Sequence, residues 1–208
     1  MDVYQLAIKD KSTGVPHLHG ATLGQEHRKP LLDELEGHPE LVTGKGAIVV
    51  VDFAGIESVT ASYIKATVLA FIRAGIHFVD PNEPSDLPPL NIFPVVTHLS
   101  SEIAEELGEV MSSSRHVCLE ALQIDGGVVS KARLIGSPDL SVIDTLQSLV
   151  REGSATATQL FEKDQAKNIT VNGWNNRLAD LYRLRLACRE KQGRQWLYIP
   201  VAKQVLHG

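Results

Sequence analysis

The chain has 208 residues, of which 43% are hydrophobic and 22% are charged, and its formal net charge at pH 7 is −5. These values are typical of a soluble globular protein, with enough residues for one large domain or two small ones. No run of about 18 apolar residues occurs, which argues against a membrane span. The start of the chain lacks the basic and apolar segments of a signal peptide. We therefore expect a cytoplasmic protein.

The basic residues are concentrated near the end of the chain. Residues 1–136 contain 10 Lys/Arg and 18 Asp/Glu, a net charge of −8. Residues 137–208 contain 10 Lys/Arg and 7 Asp/Glu, a net charge of +3. The segment from Lys167 to Lys203 contains eight basic residues and only two acidic ones. A basic stretch confined to one end of a chain is typical of a module that contacts phosphates. The acidic remainder would be repelled by DNA, so we expect it to have a different role.

Alternating apolar runs and helical patterns predict a mixed sheet covered by helices for residues 1–136, an α/β (α+β) fold. The predicted strands are Val3–Lys9, Ala47–Phe53, Ile76–Val79 and Ile92–Thr97. The predicted helices include the segment with Leu31, Leu32 and Leu35, then Ser58–Ala74, and then Ser101–Ser113. Thr60 is the expected N-cap of the second helix, and Gly75 its expected end.

Two further features lie within residues 1–136. The segment Pro81–Pro89 contains four prolines and is predicted to be a loop. Two strands, Val117–Gln123 and Val128–Ile135, are joined by Asp125-Gly126-Gly127, a sequence that favours a hairpin turn. Gly136-Ser137-Pro138 then predicts a domain boundary, with a second domain at 137–208.

Three helical patterns follow this boundary. The first has Val142, Leu146, Leu149 and Val150 on one face and ends near Gly153. The second begins with Thr156 and Gln159 at the spacing of a capping box, and directs Leu160 and Phe161 inward. The third, capped near Thr170 or Asn172, is expected to bury Trp174, Leu178, Leu181 and Tyr182.

The other face of the third helix carries amide and guanidinium groups, which recognise base edges and phosphates in the major groove. These residues are Asn172, Asn175, Asn176, Arg177 and Arg183. Asn is a poor helix former, so helix stability does not explain the cluster. A basic hairpin follows, with Lys191, Arg194 and Gln195 near its tip and a closing strand at Trp196–Val201. Trp174 and Trp196 are both expected in the core.

The string VNGWNNRLADLYRLRLACREKQGRQWLYIPV resembles the winged helix-turn-helix domains of bacterial regulators. The resemblance implies that the third helix enters the major groove of duplex DNA while the wing contacts the backbone or minor groove. It also implies a homodimer, because paired half-sites raise the affinity of so small a module. The chain departs from the pattern at Arg185, where such domains often have Gly; a left-handed Arg costs on the order of 1 kcal/mol.

The string VVVDFAGIESVTASYIKATVLAFI resembles STAS-like domains, relatives of the anti-sigma-factor antagonists. In true antagonists a kinase phosphorylates the first Ser of an Asp-Ser-Ser/Thr-Gly motif, but this chain has Ala61 at that position, between Thr60 and Ser62. The resemblance implies a partner-binding or sensory fold, with Asp52, Thr60 and Ser62 as candidate contact or switch residues. The alternative is that Thr60 and Ser62 only cap a helix.

No pattern in the sequence predicts an enzyme, a metal or a cofactor. Asp52 ends a central strand, but no phosphate loop or nucleophile elbow accompanies it, so a turn-capping role is expected. His17, His19 and His27 lack the spacing of metal ligands, and so do Cys118 and Cys188, which we expect to be buried reduced thiols.

We therefore expect a DNA-binding protein, a transcriptional regulator. The alternative is an adaptor that docks proteins in an anti-sigma-type or phage-defence assembly without binding DNA.

Overall fold

The computed structural model describes residues 1–8, 14–38 and 46–206. The strands are β1 (Asp2–Ala7), β2 (His17–Leu18), β3 (Ala47–Asp52), β4 (Ser58–Val59), β5 (Ile92–Thr97), β6 (Val117–Asp125), β7 (Val128–Gly136), β8 (Ala187–Gln192), β9 (Gln195–Pro200) and β10 (Val205–Leu206). The helices are α1 (Ala21–Glu36), α2 (Ala61–Ala66), α3 (Val68–His77), α4 (Ser101–Ser113), α5 (Leu140–Glu152), α6 (Ala157–Lys163) and α7 (Val171–Arg183), with a 3-10 turn at Gln165–Lys167.

A mostly parallel sheet lies at the centre, with the strand order β1-β3-β5-β6-β7-β10. The first four of these strands are parallel, β7 is the antiparallel hairpin partner of β6, and β10 runs parallel to β7. The mixed α/β sheet predicted from the sequence is thus confirmed. Ala7, Asp52 and Thr97 lie side by side in register, so the carboxyl ends of β1, β3 and β5 form one edge of the sheet.

The central strands are buried on both faces. Every residue of β3 and β5 is buried, in agreement with their continuous apolar sequences. Because side chains alternate along a strand, Ile48 and Val50 point to one face while Val49 and Val51 point to the other. The helices α3 and α4 contribute to the core on this second face.

The first face is covered by the C-terminal third of the chain. Ile48, Val50, Phe93 and Val95 share one hydrophobic cluster with buried residues of α5, α6 and α7, among them Leu146, Leu149, Leu160, Trp174 and Leu178. This cluster crosses the boundary expected at residues 136 and 137. The helices α5, α6 and α7 therefore pack directly on the central sheet.

The structure differs from the predicted elements between Ser58 and Val79. Ser58–Val59 is a short strand, and the following helical segment is divided at Thr67 into α2 and α3. The strand expected at Ile76–Val79 is wrong, because α3 continues through Gly75 to His77. A Cβ on Gly75 would lie 2.9 Å from the carbonyl oxygen of Ile92. Gly75 therefore permits close packing of α3 on β5 instead of ending the helix.

Other boundaries agree more closely. The helix α4 has the predicted ends, α5 stops before Gly153, and both hydrogen bonds of the capping box between Thr156 and Gln159 are present. The first strand ends at Ala7, whereas its predicted end at Lys9 lies outside the described residues. Phe161 was expected to point inward, but it is 40% exposed. Since consecutive helical residues are about 100° apart, burying Leu160 in this short helix turns Phe161 outward.

Candidate nucleic-acid interface

The helix α7 is held to the sheet by its apolar stripe. Trp174, Leu178 and Leu181 recur at helical spacing and are fully buried. Thr170 is the N-cap, and its Oγ1 accepts a hydrogen bond from the amide of Gly173 at 3.1 Å. Tyr182, also expected in the core, is half-buried. Packing on one side and a cap at the start leave the opposite face of α7 free of the core.

That opposite face brings together most of the predicted contact residues of the helix. Asn172, Asn175, Asn176 and Arg183 are exposed. At about 100° per residue they fall within one arc of the helix surface, with the small side chain of Ala179 among them. Arg177 is half-buried and lies about 100° from Asn176 around the axis, outside this arc. The structure therefore groups the three asparagines with Arg183 and leaves Arg177 beside them.

The second part of the interface is the antiparallel hairpin β8–β9. Gln192 pairs with Gln195, and the turn between them contains Gly193 at φ +60°. Lys191, Arg194 and Gln195 are all exposed around this turn, as the sequence predicts. A hairpin with few apolar residues near its tip projects cationic side chains into solvent.

A groove separates the hairpin from α7. It has a volume of about 500 Å³, and its walls include Asn175, Asn176, Arg189, Arg194, Gln195 and Trp196. A second depression, bounded by Phe78, Asp80, Ala179, Tyr182, Arg183 and Arg189, adjoins it, since both are lined by Ala179 and Arg189. The amides of Asn175 and Asn176 thus lie on the α7 wall, whereas Arg189 and Arg194 lie on the hairpin wall.

Two aromatic rings hold Arg189 beside this groove. Its guanidinium carbon is 4.2 Å from the ring centre of Tyr182 and 4.3 Å from that of Trp196. The ammonium of Lys191 lies 4.5 Å from the same Trp196 ring. Cations over aromatic faces are attracted by the ring quadrupole, which limits the freedom of both side chains. The sequence predicts Arg189 in the basic hairpin but not as a DNA contact, and the packing of β8 against α7 is what places it beside the groove.

The expectation that both tryptophans are core residues is only half correct. Trp174 is fully buried, but Trp196 is 37% exposed. The basic side chains of Arg189 and Lys191 lie over the Trp196 ring. Trp196 therefore belongs to the groove.

Arg185 lies just after α7, at the position where the sequence resemblance often has glycine. It has φ +60° and is 3% exposed. Its Nε donates to the carbonyl oxygen of Ile92 at 2.7 Å, and its Nη2 donates to Oδ1 of Asn91 at 2.7 Å. Burial lowers the pKa of Arg185 to about 10, so the group stays charged at neutral pH. The left-handed turn is present, and two nitrogens of the buried guanidinium make hydrogen bonds, whereas Nη1 has no hydrogen-bond partner among the described residues.

These contacts form a continuous series of cations and rings. The guanidinium of Arg185 is 3.9 Å from the ring centre of Phe93 on β5 and 5.1 Å from that of Tyr182 on α7. Tyr182 in turn contacts Arg189, which contacts Trp196. We call Phe93, Arg185, Tyr182, Arg189, Trp196 and Lys191 the cation–ring series. It connects the sheet core with the hairpin, so the two walls of the groove are positioned by the same framework.

Not every basic residue of this region is available to a ligand. Arg185 is buried, and Lys167 lies 3.5 Å from Asp164 and donates to Oγ of Ser148 at 2.8 Å. Arg183 keeps a long contact of 3.8 Å with Asp180. The cations that line or border the groove are Arg183, Arg189, Lys191 and Arg194.

The candidate residues of 1–136 do not line this groove. Asp52 is buried, and its carboxylate accepts hydrogen bonds from the amide of Ala54, from Gln5 and from His98. The first bond confirms the expected turn-capping role, whereas His98 was not predicted. Burial opposes ionisation of Asp52, but the hydrogen bonds from His98, Ala54 and Gln5 outweigh it, and its pKa is lowered.

Thr60 is the N-cap of α2, as predicted. Its Oγ1 accepts from the amides of Tyr63 and Gly20, and lies 3.1 Å from Oγ of the exposed Ser62. Thr60 thus ties the start of α2 to the loop before α1, while Ser62 reaches solvent.

The predicted metal-free character of the histidines remains a prediction. His17 contacts Ser58 and Glu57, and buried His27 lies 2.9 Å from the hydroxyl of Tyr63. Within residues 1–8, 14–38 and 46–206, no group of three His, Cys, Asp or Glu side chains is arranged to hold a metal ion. Across the same residues, none of the helices is long and apolar enough to cross a bilayer.

Comparisons with protein-family models, with curated proteins and with solved structures find no match to this chain.

Proposed function

We propose that the protein binds duplex DNA through α7 and the β8–β9 hairpin, as a winged helix-turn-helix in a transcriptional regulator. The order of elements supports this proposal. The helices α5, α6 and α7 are followed by a hairpin, and Ala155, between α5 and α6, pairs with Tyr198 on β9. This pairing between the segment that joins the first two helices and the hairpin supports a winged-helix arrangement.

The single observation that carries the proposal is the exposed face of α7. Three asparagine amides and Arg183 lie on one side of a helix whose other side is packed on the core. Asn can make paired hydrogen bonds to adenine, and Arg can make them to guanine or bind phosphate. An exposed helix is also the element that fits the major groove of B-form DNA.

In this proposal the hairpin is the wing. Lys191 and Arg194 bind backbone phosphates. Arg189, held between the rings of Tyr182 and Trp196, adds a third positive charge beside them. An arginine already held in place loses less conformational freedom on binding, which favours affinity.

The acidic N-terminal two thirds of the chain, 1–136, are proposed to be a STAS-like domain that binds a partner or a second copy of the chain, near Asp52, Thr60 and Ser62. A homodimer would place two winged helices on paired half-sites. The acidic surface would face away from DNA.

The first test asks whether Lys191 and Arg194 contact phosphates directly or only contribute to the net positive charge. Lys191→Gln with Arg194→Gln is compared with Lys163→Gln with Lys203→Gln, which removes the same charge from exposed positions outside the groove. Binding to a mixed-sequence duplex is measured by fluorescence anisotropy at several salt concentrations. We expect the slope of log K against log salt to become shallower by about 2 for the hairpin variant. The control variant should keep the wild-type slope within about half a unit.

The second test addresses base recognition. Asn175→Ala with Asn176→Ala leaves the net charge unchanged, so the salt slope should persist. Selection from a random duplex pool should enrich a sequence family with the wild type and lose that enrichment with the variant. Failure of the wild type to bind any duplex at low salt would overturn the proposal and favour the protein-docking alternative.

A further inference from the structure

A second polar cluster lies at the other end of β5 from Arg185. Asn91 and Ile92, which accept hydrogen bonds from Arg185, are at the amino end of this strand, whereas His98 follows its carboxyl end. His98 lies 2.7 Å from Oδ1 of Asp52 through its Nδ1. The cluster therefore belongs to the edge where the parallel strands β1, β3 and β5 end, which is where α/β sheets commonly bind ligands.

The carboxylate of Asp52 is held in a fixed position by three donors. Gln5 on β1 donates to Oδ2 at 2.6 Å, and the amide of Ala54 donates to Oδ1 at 2.8 Å. With its side chain 9% exposed, Asp52 has little access to water. Such a carboxylate orients the group that it contacts, in the way that outer carboxylates orient catalytic or metal-binding imidazoles.

The hydrogen bond determines which nitrogen of His98 is reactive. An ionised carboxylate can only accept, so Nδ1 of His98 must carry the proton in this bond. In the neutral ring the lone pair is then on Nε2. The side chain of His98 is 61% exposed. A lone pair of fixed orientation is thus accessible from solvent.

The backbone at His98 is also unusual. It has φ +56°, a left-handed conformation that is unfavourable for a residue with a Cβ. This conformation places the imidazole over Asp52 directly after the last residue of β5. Among the described residues, backbone strain of this kind at a solvent-facing imidazole occurs here alone. Strained residues tend to occur at functional sites.

We propose that His98 is a nucleophile that accepts a phosphoryl group on Nε2 from a small phosphoryl donor with a good leaving group. The lone pair of Nε2 attacks phosphorus and forms an N–P bond. The bond from phosphorus to the leaving group breaks, and its electron pair departs with that group, as ammonia from phosphoramidate or as a carboxylate from an acyl phosphate. The ring retains its proton on Nδ1 and becomes cationic.

Asp52 contributes in two ways. Its hydrogen bond holds the ring proton on Nδ1, and so the lone pair on Nε2, before the attack. Its negative charge stabilises the cationic ring afterwards.

The other exposed histidines provide an internal comparison. His17 is exposed, but its Nδ1 faces the neutral hydroxyl of Ser58 rather than a buried carboxylate. His19 is exposed as well, and its contact with His17 is between ring edges and faces at 6.4 Å. Neither is oriented by a buried carboxylate, but Nε2 of His17 lies 3.6 Å from the exposed carboxylate of Glu57. His19 is therefore the reference for an ordinary surface imidazole.

The test treats the full chain with phosphoramidate at neutral pH and follows the phosphoryl group on each histidine by mass spectrometry under non-acidic conditions. We expect His98 to react at least about tenfold faster than His19, because only His98 has a buried carboxylate that stabilises the positive charge developing on the ring. NMR of the modified protein should place phosphorus on Nε2. Asp52→Asn should lower the His98 rate by about tenfold and leave the His19 rate unchanged.

Equal rates at His98 and His19 in the wild type would overturn the proposal, and so would modification on Nδ1. This comparison needs no variant, so it holds even if Asp52→Asn fails to fold. His19→Gln serves as the matched variant and should leave the rate at His98 unchanged. The duplex-binding measurements do not enter this test, so its outcome is independent of the proposed DNA-binding role.

Discussion

At the scale of single residues, Arg185 combines an unfavourable backbone with favourable side-chain contacts. Its φ of +60° is a conformation in which Gly is at no disadvantage. Its side chain, however, satisfies two buried acceptors, Ile92 O and Asn91 Oδ1, and lies over the ring of Phe93. The two effects are separable because one belongs to the Cβ and the other to the guanidinium.

Replacement of Arg185 tests both effects. Arg185→Ala removes the donors and should lower the free energy of unfolding by about 2–4 kcal/mol, because buried acceptors lose their partners. Arg185→Gly loses the same contacts but relieves the backbone, so it should be less destabilising by about 1 kcal/mol. Urea denaturation measures both variants.

Arg115 is the matched control for this pair. It also has a left-handed backbone, at φ +58°, but it is exposed. Arg115→Gly should therefore change stability by less than about 1 kcal/mol. Equal stabilities of Arg185→Ala and Arg185→Gly would contradict the assigned backbone cost.

At the scale of elements, α7 depends on its cap as well as on its buried stripe. Thr170 satisfies the amide of Gly173, next to the first asparagine of the exposed face. A helix start without a cap frays, since its first amides have no partner in the helix. The position of Asn172 is therefore tied to a single hydroxyl group.

Thr170→Ala should lower the free energy of unfolding by about 1 kcal/mol, the usual value for the loss of an N-cap. Thr170→Ser keeps the hydroxyl and should stay close to the wild type. Thermal or urea denaturation of the two variants measures the difference. An alanine variant as stable as the serine variant would show that the cap hydrogen bond contributes nothing here.

At the scale of the whole molecule, the groove depends on the sheet because both share one core. Val95 on β5 and Trp174 on α7 belong to the same hydrophobic cluster, which also includes Tyr198 on β9. Side chains that share a close-packed cluster lose their contacts together when one part unfolds. We therefore expect residues 1–136 and 137–208 to unfold in a single cooperative transition.

Val95→Ala tests this expectation, because the substitution lies in the sheet while the reporter lies in α7. It should lower the stability reported by Trp174 fluorescence by about 2 kcal/mol, through the cavity left in the shared core. Trp196→Phe provides a background in which Trp174 is the sole fluorophore of its kind. Far-ultraviolet circular dichroism should give the same midpoint. Two separate midpoints would contradict a shared core.

The sequence by itself determined the features that depend on neighbours along the chain. The apolar sequences of β3 and β5, the ends of α4 and the capping box of α6 all follow from local patterns. Local hydrogen bonds and side-chain periodicity are sufficient to specify such elements. The asparagine-rich face of α7 is predictable for the same reason.

Only the tertiary structure decided the roles that depend on distant residues. Asp52 and His98 are 46 positions apart, and Arg185 and Ile92 are 93 positions apart. From the sequence, Gly75 looks like a helix end, but the structure shows that it permits close packing on Ile92. Trp196 looks like a core residue, but the structure shows it partly exposed. Periodicity records which face of an element is apolar, but the partner of each face is set by how the elements pack.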